Sequence, residues 1–205
     1  KIFQAMIFNT IAIVLITAYA LLIGAVSVGW WKLKEFSVYQ TFTAIRISII
    51  VAVRNEAGNI EALIRSLSGQ DYPSDLYDII IVNDHSDDKS TSFYKETIER
   101  FSGSSNLKLI TLQDKDAGGK KAAILTGIKA SSGELIVITD ADCTAGSKWI
   151  STLAAFYAKN KPQMILGPVR MTEGRSFFGK LQKIEFASLI STAAGSSSAG
   201  FPLLA

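Results

Sequence analysis

The sequence has one cysteine, one histidine and, from Ile2 to Trp31, no charged side chain at all. With Cys143 alone, an internal disulfide is excluded and a reducing compartment fits. Cys143 and His85 are too few for a zinc site, and no nucleophile-elbow pattern points to a Ser-His-Asp triad. Charge is nearly balanced, at 21 lysines and arginines against 18 aspartates and glutamates. That balance removes the electrostatic case for nucleic acid as a partner. Internal repeats are absent, and the one low-complexity tract is the small-residue run from Ala193 to Gly200.

The charge-free front is the second feature. Ile11 to Val28 is almost wholly apolar, and a bilayer core needs about 20 such residues in a helix. Trp30-Trp31 followed by Lys32 and Lys34 reads as an interfacial aromatic pair and a basic anchor. The apolar run is too long for a cleaved signal peptide, no small-x-small cleavage site sits cleanly before the charges, and a buried core helix would need a polar face. A transmembrane anchor over residues 1–34 is therefore expected, ahead of a domain over 35–205. Lys32, Lys34 and Arg46 follow the span while Lys1 precedes it. The positive-inside rule then places the domain on the cytoplasmic side, of a bacterial inner membrane in this reading.

Past the anchor, strand-like and helix-like stretches alternate. Ile47–Val53, Ile79–Val82, Leu107–Leu112 and Leu135–Thr139 read as strands buried in a sheet. Between them, Asn59 is placed to cap a helix with Ile60, Leu63, Ile64 and Leu67 at helical spacing, ended by Asp71-Tyr72-Pro73. Phe93, Tyr94, Thr97, Ile98 and Phe101 share one side of the next helix, which Asp87-Asp88 starts. Gly118-Gly119 opens a helix running to about Ala130, and Trp149–Lys159 is another. This order predicts an α/β fold with a doubly wound, mostly parallel sheet. A last helix, with Phe177, Phe178, Leu181, Ile184, Phe186, Leu189 and Ile190 among Lys180 and Lys183, is expected to pack on the sheet. Lying at a bilayer interface is its alternative.

Three strands end in polar groups: Arg54-Asn55-Glu56, Asn83-Asp84-His85-Ser86-Asp87-Asp88 and Asp140-Ala141-Asp142. Singly, each has a plain structural explanation as turn or cap residues. Together, on adjacent strands, they would share the rim where open parallel sheets bind ligands. Strand alternation points Asp140 and Asp142 the same way. Two such carboxylates suit a hard cation, Mg²⁺ or Mn²⁺, carrying a diphosphate.

The run from Ser48 to Glu56, the Ile-Val-Asn-Asp84-His-Ser-Asp87 segment, the stretch Gly119 to Gly127 and Thr-Asp140-Ala-Asp142-Cys, in that order, resemble the family 2 glycosyltransferases of GT-A fold. The resemblance implies an enzyme that transfers a sugar, with inversion, from a nucleotide-sugar (a UDP-sugar in this reading) to a glycan or lipid-linked acceptor. It implies that Ala52, Arg54 and Glu56 line the nucleotide pocket and that Asp84 contacts uracil. Asp140 would contact the nucleotide sugar and Asp142 would ligate the metal. Lys120 matches a basic position near the nucleotide, with a solvated lysine at a helix start as the alternative.

The family's general base comes from an acidic pair far downstream, followed in many members by Gln-x-x-Arg-Trp. After Asp142 the acids are Glu173 and Glu185, neither in such a pair. The base is accordingly expected beyond Ala205, with the chain as anchor plus donor-binding half. Two other functions stay open on the residues. One is a nucleotidyltransferase making sugar nucleotides, which would usually carry a Gly-rich basic loop after the first strand. The other is a non-catalytic, membrane-bound sugar-nucleotide binder.

Overall fold

A β-branched run resists helix and suits a pleated, buried surface, and the strands of this protein follow that rule. The computed structural model describes residues 2–36, 44–101, 106–113, 118–172 and 176–203. In chain order the elements begin α1 (Ile2–Lys32), β1 (Ile47–Val53), α2 (Ile60–Ser68), β2 (Tyr77–Asn83) and α3 (Asp88–Phe101). They continue β3 (Asn106–Thr111), α4 (Lys120–Ala130), β4 (Leu135–Asp140), α5 (Trp149–Asn160) and α6 (Phe177–Ser198). Two units separate: Ser37–Pro162, which holds the sheet, and Lys1–Phe36 with Gln163–Ala205.

The four strands pair in parallel in the order β3-β2-β1-β4. The chain therefore winds outward from β1 to β3 and returns to β1's other side with β4, which makes the β1/β4 boundary a topological switch point. Alternate residues feed two cores. Ile47, Ile49, Val51 and Val53 of β1 and Ile79 and Ile81 of β2 meet α2 through Leu63 and Leu67, α3 through Tyr94 and Ile98, and α5 through Ile150. On the opposite face Ile80 and Val82 pack with Ala123 of α4. Helices on both faces give the doubly wound, parallel sheet that the alternation predicts, in keeping with the GT-A fold that the resemblance implies. Gly127 lets α4 sit close, since a Cβ there would overlap the side chain of Ile50.

Some local expectations need correcting. β4 is an edge strand, and Ile136 and Ile138 are exposed, because α4 packs on β1 and β2. Asn59 makes no side-chain cap to α2. Instead the Glu56 carbonyl accepts from the Asn59 and Ile60 amides at 3.0 and 3.1 Å. The helix also stops at Ser68, before Asp71. Asp87 does cap α3, accepting from the Ser90 amide at 2.7 Å. The last helix, α6, runs on through much of the small-residue stretch. The element it packs on is α1, within its own unit, where Gly29 and Gly195 bring the two backbones together. α1 is long and apolar enough to cross a membrane by length and composition.

The N-terminal end of the sheet is tied by a buried polar knot. Ser48 Oγ donates to Asp78 Oδ1 at 2.6 Å and accepts from the Gly133 amide at 2.9 Å, while Lys108 Nζ reaches Asp78 Oδ2 at 3.4 Å. The turn into β4 approaches so closely that a Cβ on Gly133 would lie 2.8 Å from Ser48 Oγ and from the Ile47 carbonyl carbon. Gly133→Ala must push backbone against backbone, and overpacking of this kind costs about 1–3 kcal/mol. The expected result is a lower urea midpoint with an unchanged slope in detergent solution. A midpoint equal to that of the unaltered chain would contradict the packing.

Candidate functional site

Register decides which strand ends meet. Ala52 pairs across to Val82 on one side and to Asp140 on the other. The first residue past β2, Asp84, donates its amide to the Val53 carbonyl at 2.9 Å. The ends of β1, β2 and β4 thus lie side by side, as the sequence predicts, and the N-terminus of α4 joins them.

Asp84 lies at the centre of this rim and is 4% exposed. The Gly119 amide donates to both of its oxygens, at 3.1 and 2.9 Å, from a backbone with φ of 100° that favours glycine. His85 Nδ1 stands 2.8 Å from Oδ1, and Arg54 is 3.9 Å from Oδ2. Burial pushes the carboxyl up, yet the bonds from His85 and Gly119 and the charges of Arg54 and His85 outweigh it, so the group sits below the ordinary carboxylate range.

Of the other residues singled out in the sequence, Lys120 reaches Asp140 Oδ1 at 2.7 Å. Ala52, Arg54, Asp84, Lys120 and Asp140 are therefore gathered at one rim. Glu56 is turned elsewhere: its carboxylate accepts from Asn59 Nδ2 at 2.7 Å and its amide donates to Tyr94 Oη at 2.6 Å. Asp142 lies beyond the end of β4, in a turn closed by the Cys143 amide donating to the Asp140 carbonyl at 3.2 Å. Strand alternation does not govern it, but the turn has a like result: Ala141 is buried while Asp140 and Asp142 are exposed. Burial, then the charges of Asp142 and Asp140, push the Cys143 thiol up. Of the two acids noted after Asp142, Glu185 is on α6, and Glu173 lies outside the described residues.

Sequence reasoning missed three contributors. Asn55 stitches the loops together, its amide donating to Ser86 Oγ and its Oδ1 accepting from the Asp87 amide, both at 2.9 Å. His85 Nε2 lies 3.1 Å from the Gln113 carbonyl. The Gly119 amide is the third, signalled in the sequence by the Gly-Gly pair before a helix and by its place in the Gly119–Gly127 motif, though with no role attached.

No group of three or more His, Cys, Asp or Glu side chains is placed to hold a metal among the described residues. The donor set still fits a hard divalent cation, because Mg²⁺ commonly takes one or two carboxylates and completes its shell with phosphate oxygens and water. Asp142 and Asp140 are exposed carboxylates of that kind.

The glycosyl transferase family 2 model matches residues 48–200. The chain belongs to glycosyl transferase family 2. It is 30% identical over 133 residues to glycosyltransferase AglE of Haloferax volcanii, covering 65% of this chain and 42% of that protein. It is 32% identical over 150 residues to the poly-β-1,6-N-acetyl-D-glucosamine synthase of Staphylococcus epidermidis, covering 70% of this chain and 33% of that one. The chain thus spans less than half the length of these relatives. Among solved structures it resembles the mannosyltransferase PcManGT of Pyrobaculum calidifontis in complex with GDP-Man and Mn²⁺, with a TM-score of 0.57. Identity there is 27%, over 70% of this chain and 43% of that one.

Because the folded-state value of Asp84 is depressed, its contribution to stability is complete above about pH 4 and is lost as pH falls through that lower value. Asp84→Asn is expected to be less stable than the parent at about pH 7, with the gap narrowing as pH falls below about 4. Urea unfolding across that range measures it, and a gap that stays constant into acid would overturn the assignment.

Proposed function

We propose that the chain binds a nucleotide-sugar donor and that the protein transfers its sugar, with inversion, to a hydroxyl of a glycan or lipid-linked acceptor. The observation that carries this reading is the buried, ionised Asp84 beside the Lys120–Asp140 pair, where β1, β2 and β4 end together. Family membership supports a sugar transferase, and relatives of the chain are described as glycosyltransferases.

Asp84 is assigned to the base. Its carboxylate already accepts from His85 and, at both oxygens, from Gly119. That leaves room for about one more donor out of roughly four lone-pair sites. Uracil offers one N3–H, whereas guanine presents an N–H and an amino group together, so the donor is assigned as a UDP-sugar. Ala52 and Arg54 line the same pocket, and Glu56 supports it through the loop it caps. Lys120 and the N-terminus of α4 face the diphosphate, where a helix start favours negative charge. The Lys120–Asp140 pair is more than half exposed on both sides, and such pairs hold by about 0–1 kcal/mol. An arriving diphosphate can therefore take the ammonium while Asp140 turns to the sugar.

Asp142, with Asp140 beside it, would hold Mg²⁺ or Mn²⁺. Bound there, the cation would offset charge developing on the departing diphosphate. The acceptor hydroxyl attacks the anomeric carbon opposite the leaving group and passes its proton to a general base. Asp84 and Asp140 are poor choices for that base, being tied to His85 and Gly119 and to Lys120. The α1 helix is assigned as the anchor over residues 1–34. Lys32 and Lys34, which follow the apolar run, support the cytoplasmic side of the membrane for the sheet that comes after it.

Calorimetric titration with UDP, GDP and ADP in the presence of Mn²⁺ tests the donor assignment. UDP is expected to bind about tenfold tighter than the others, a preference lost in Asp84→Ala. Equal binding of all three nucleotides would sink it. A second measurement addresses the metal. Asp142→Asn keeps the size and removes the charge, so Mn²⁺ affinity in the presence of UDP should fall about tenfold or more by paramagnetic resonance. Unchanged Mn²⁺ binding would remove Asp142 from the metal site.

A further inference from the structure

His85 is the sequence's only histidine, and both of its ring nitrogens face acceptors. Nε2 lies 3.1 Å from the Gln113 carbonyl, an oxygen that cannot donate. Nδ1 lies 2.8 Å from Asp84 Oδ1, a carboxylate already receiving the Gly119 amide on both oxygens. A neutral imidazole has one N–H and one lone pair. Either tautomer would aim that lone pair at an oxygen lone pair, across one of these two short contacts. Only the doubly protonated ring donates to both.

We propose that His85 works as an imidazolium latch, a positioning residue that holds Asp84 toward the nucleobase by tying it to the end of β3, and that loss of its proton loosens nucleotide binding.

The surroundings are built for a cation. The backbone of His85 is left-handed, with φ of 53°. That conformation is uncommon for residues other than glycine, and here it accompanies a ring spanning Asp84 and Gln113. Gly118 flanks the ring: a Cβ there would lie 3.5 Å from Nδ1. The charged groups facing the pair come from three elements. Asp84 follows β2, and Arg54 follows β1, at 3.9 Å from Asp84 Oδ2. Lys120 opens α4 with its ammonium on Asp140. The end of β3 contributes the Gln113 carbonyl, while Asp114, Lys115 and Asp116 beyond it lie outside the described residues. When the ring gives up a proton to solvent, one charge-assisted bond is lost. Whichever tautomer remains, one ring nitrogen turns a lone pair on an acceptor, so Asp84 is no longer tied to the end of β3 through two donated bonds and its hold toward the base loosens.

This inference rests on the assignment of Asp84 to the base, so its test separates the two. With a single histidine, the ring nitrogen shifts of histidine-labelled protein need no assignment. In the full 205-residue chain in detergent micelles, the ring is expected to be doubly protonated at about pH 7, where a free imidazole of ordinary value, about 6.5, is mostly neutral. A neutral tautomer at that pH overturns the latch, whatever nucleotides do. In Asp84→Asn the ring should revert to ordinary titration, and an unchanged titration would also overturn it. UDP affinity should fall about tenfold as the ring titrates, and His85→Asn, which tolerates the left-handed backbone, should bind UDP with no such pH step. A step that persists in His85→Asn rules the latch out. A chain that shows the protonated ring yet binds no UDP would refute the base assignment and leave the charged ring standing.

Discussion

A carboxylate taken out of water has to be met by donors, and the burial of Asp84 imposes that demand on everything around it. The donors come from different parts of the chain. Gly119 reaches in from the start of α4, Arg54 from the end of β1, and His85 connects onward to the end of β3. Satisfying one charge therefore fixes the relative positions of four element ends. Gly119 shows how narrow the solution is, because its amide can point at both oxygens only from a backbone with φ of 100°.

Around this centre the rim is stiff on one side and loose on the other. Asn55 and His85 both hold left-handed backbones, at φ of 56° and 53°. Conformations of that kind cost on the order of 1–3 kcal/mol and persist where neighbours over-determine them. The bonds from Asn55 to Ser86 and Asp87 supply that restraint. The Lys120–Asp140 pair is exposed and exchangeable. The rim therefore joins a restrained side, centred on Asp84, to an exposed charge pair that can rearrange.

The second unit obeys different physics. Its two helices, α1 and α6, meet through Gly29 and Gly195, where a Cβ on Gly195 would lie 2.5 Å from the Val26 carbonyl oxygen. Close backbone approach at small residues lets two helices gain van der Waals contact along their length. Phe177, Phe178, Ile184 and Leu189 of α6 stay exposed. The mixture of apolar residues and lysines was visible in the sequence, but the element α6 packs on, α1, was not.

Local chemistry determined much of this protein directly. The four strands, the helices between them and the three polar strand ends followed from β-branched runs, helical spacing and turn residues, since each depends on neighbours within a few positions. Asp84 and Asp140 stood out at strand ends, whereas Ala52, Arg54 and Lys120 were given roles by the resemblance to family 2 glycosyltransferases. Tertiary structure alone decided that β4 lies at the edge beside β1, which exposes Ile136 and Ile138. It also decided that Glu56 serves Asn59 and Tyr94, and that Asp142 is set by a turn rather than by strand alternation. The partners of Asp84 belong to the same class. Gly119 is 35 residues away in the chain, and Gln113 lies 28 residues beyond His85. Periodicity carries no information over such separations; only strand pairing brings those groups within hydrogen-bonding distance.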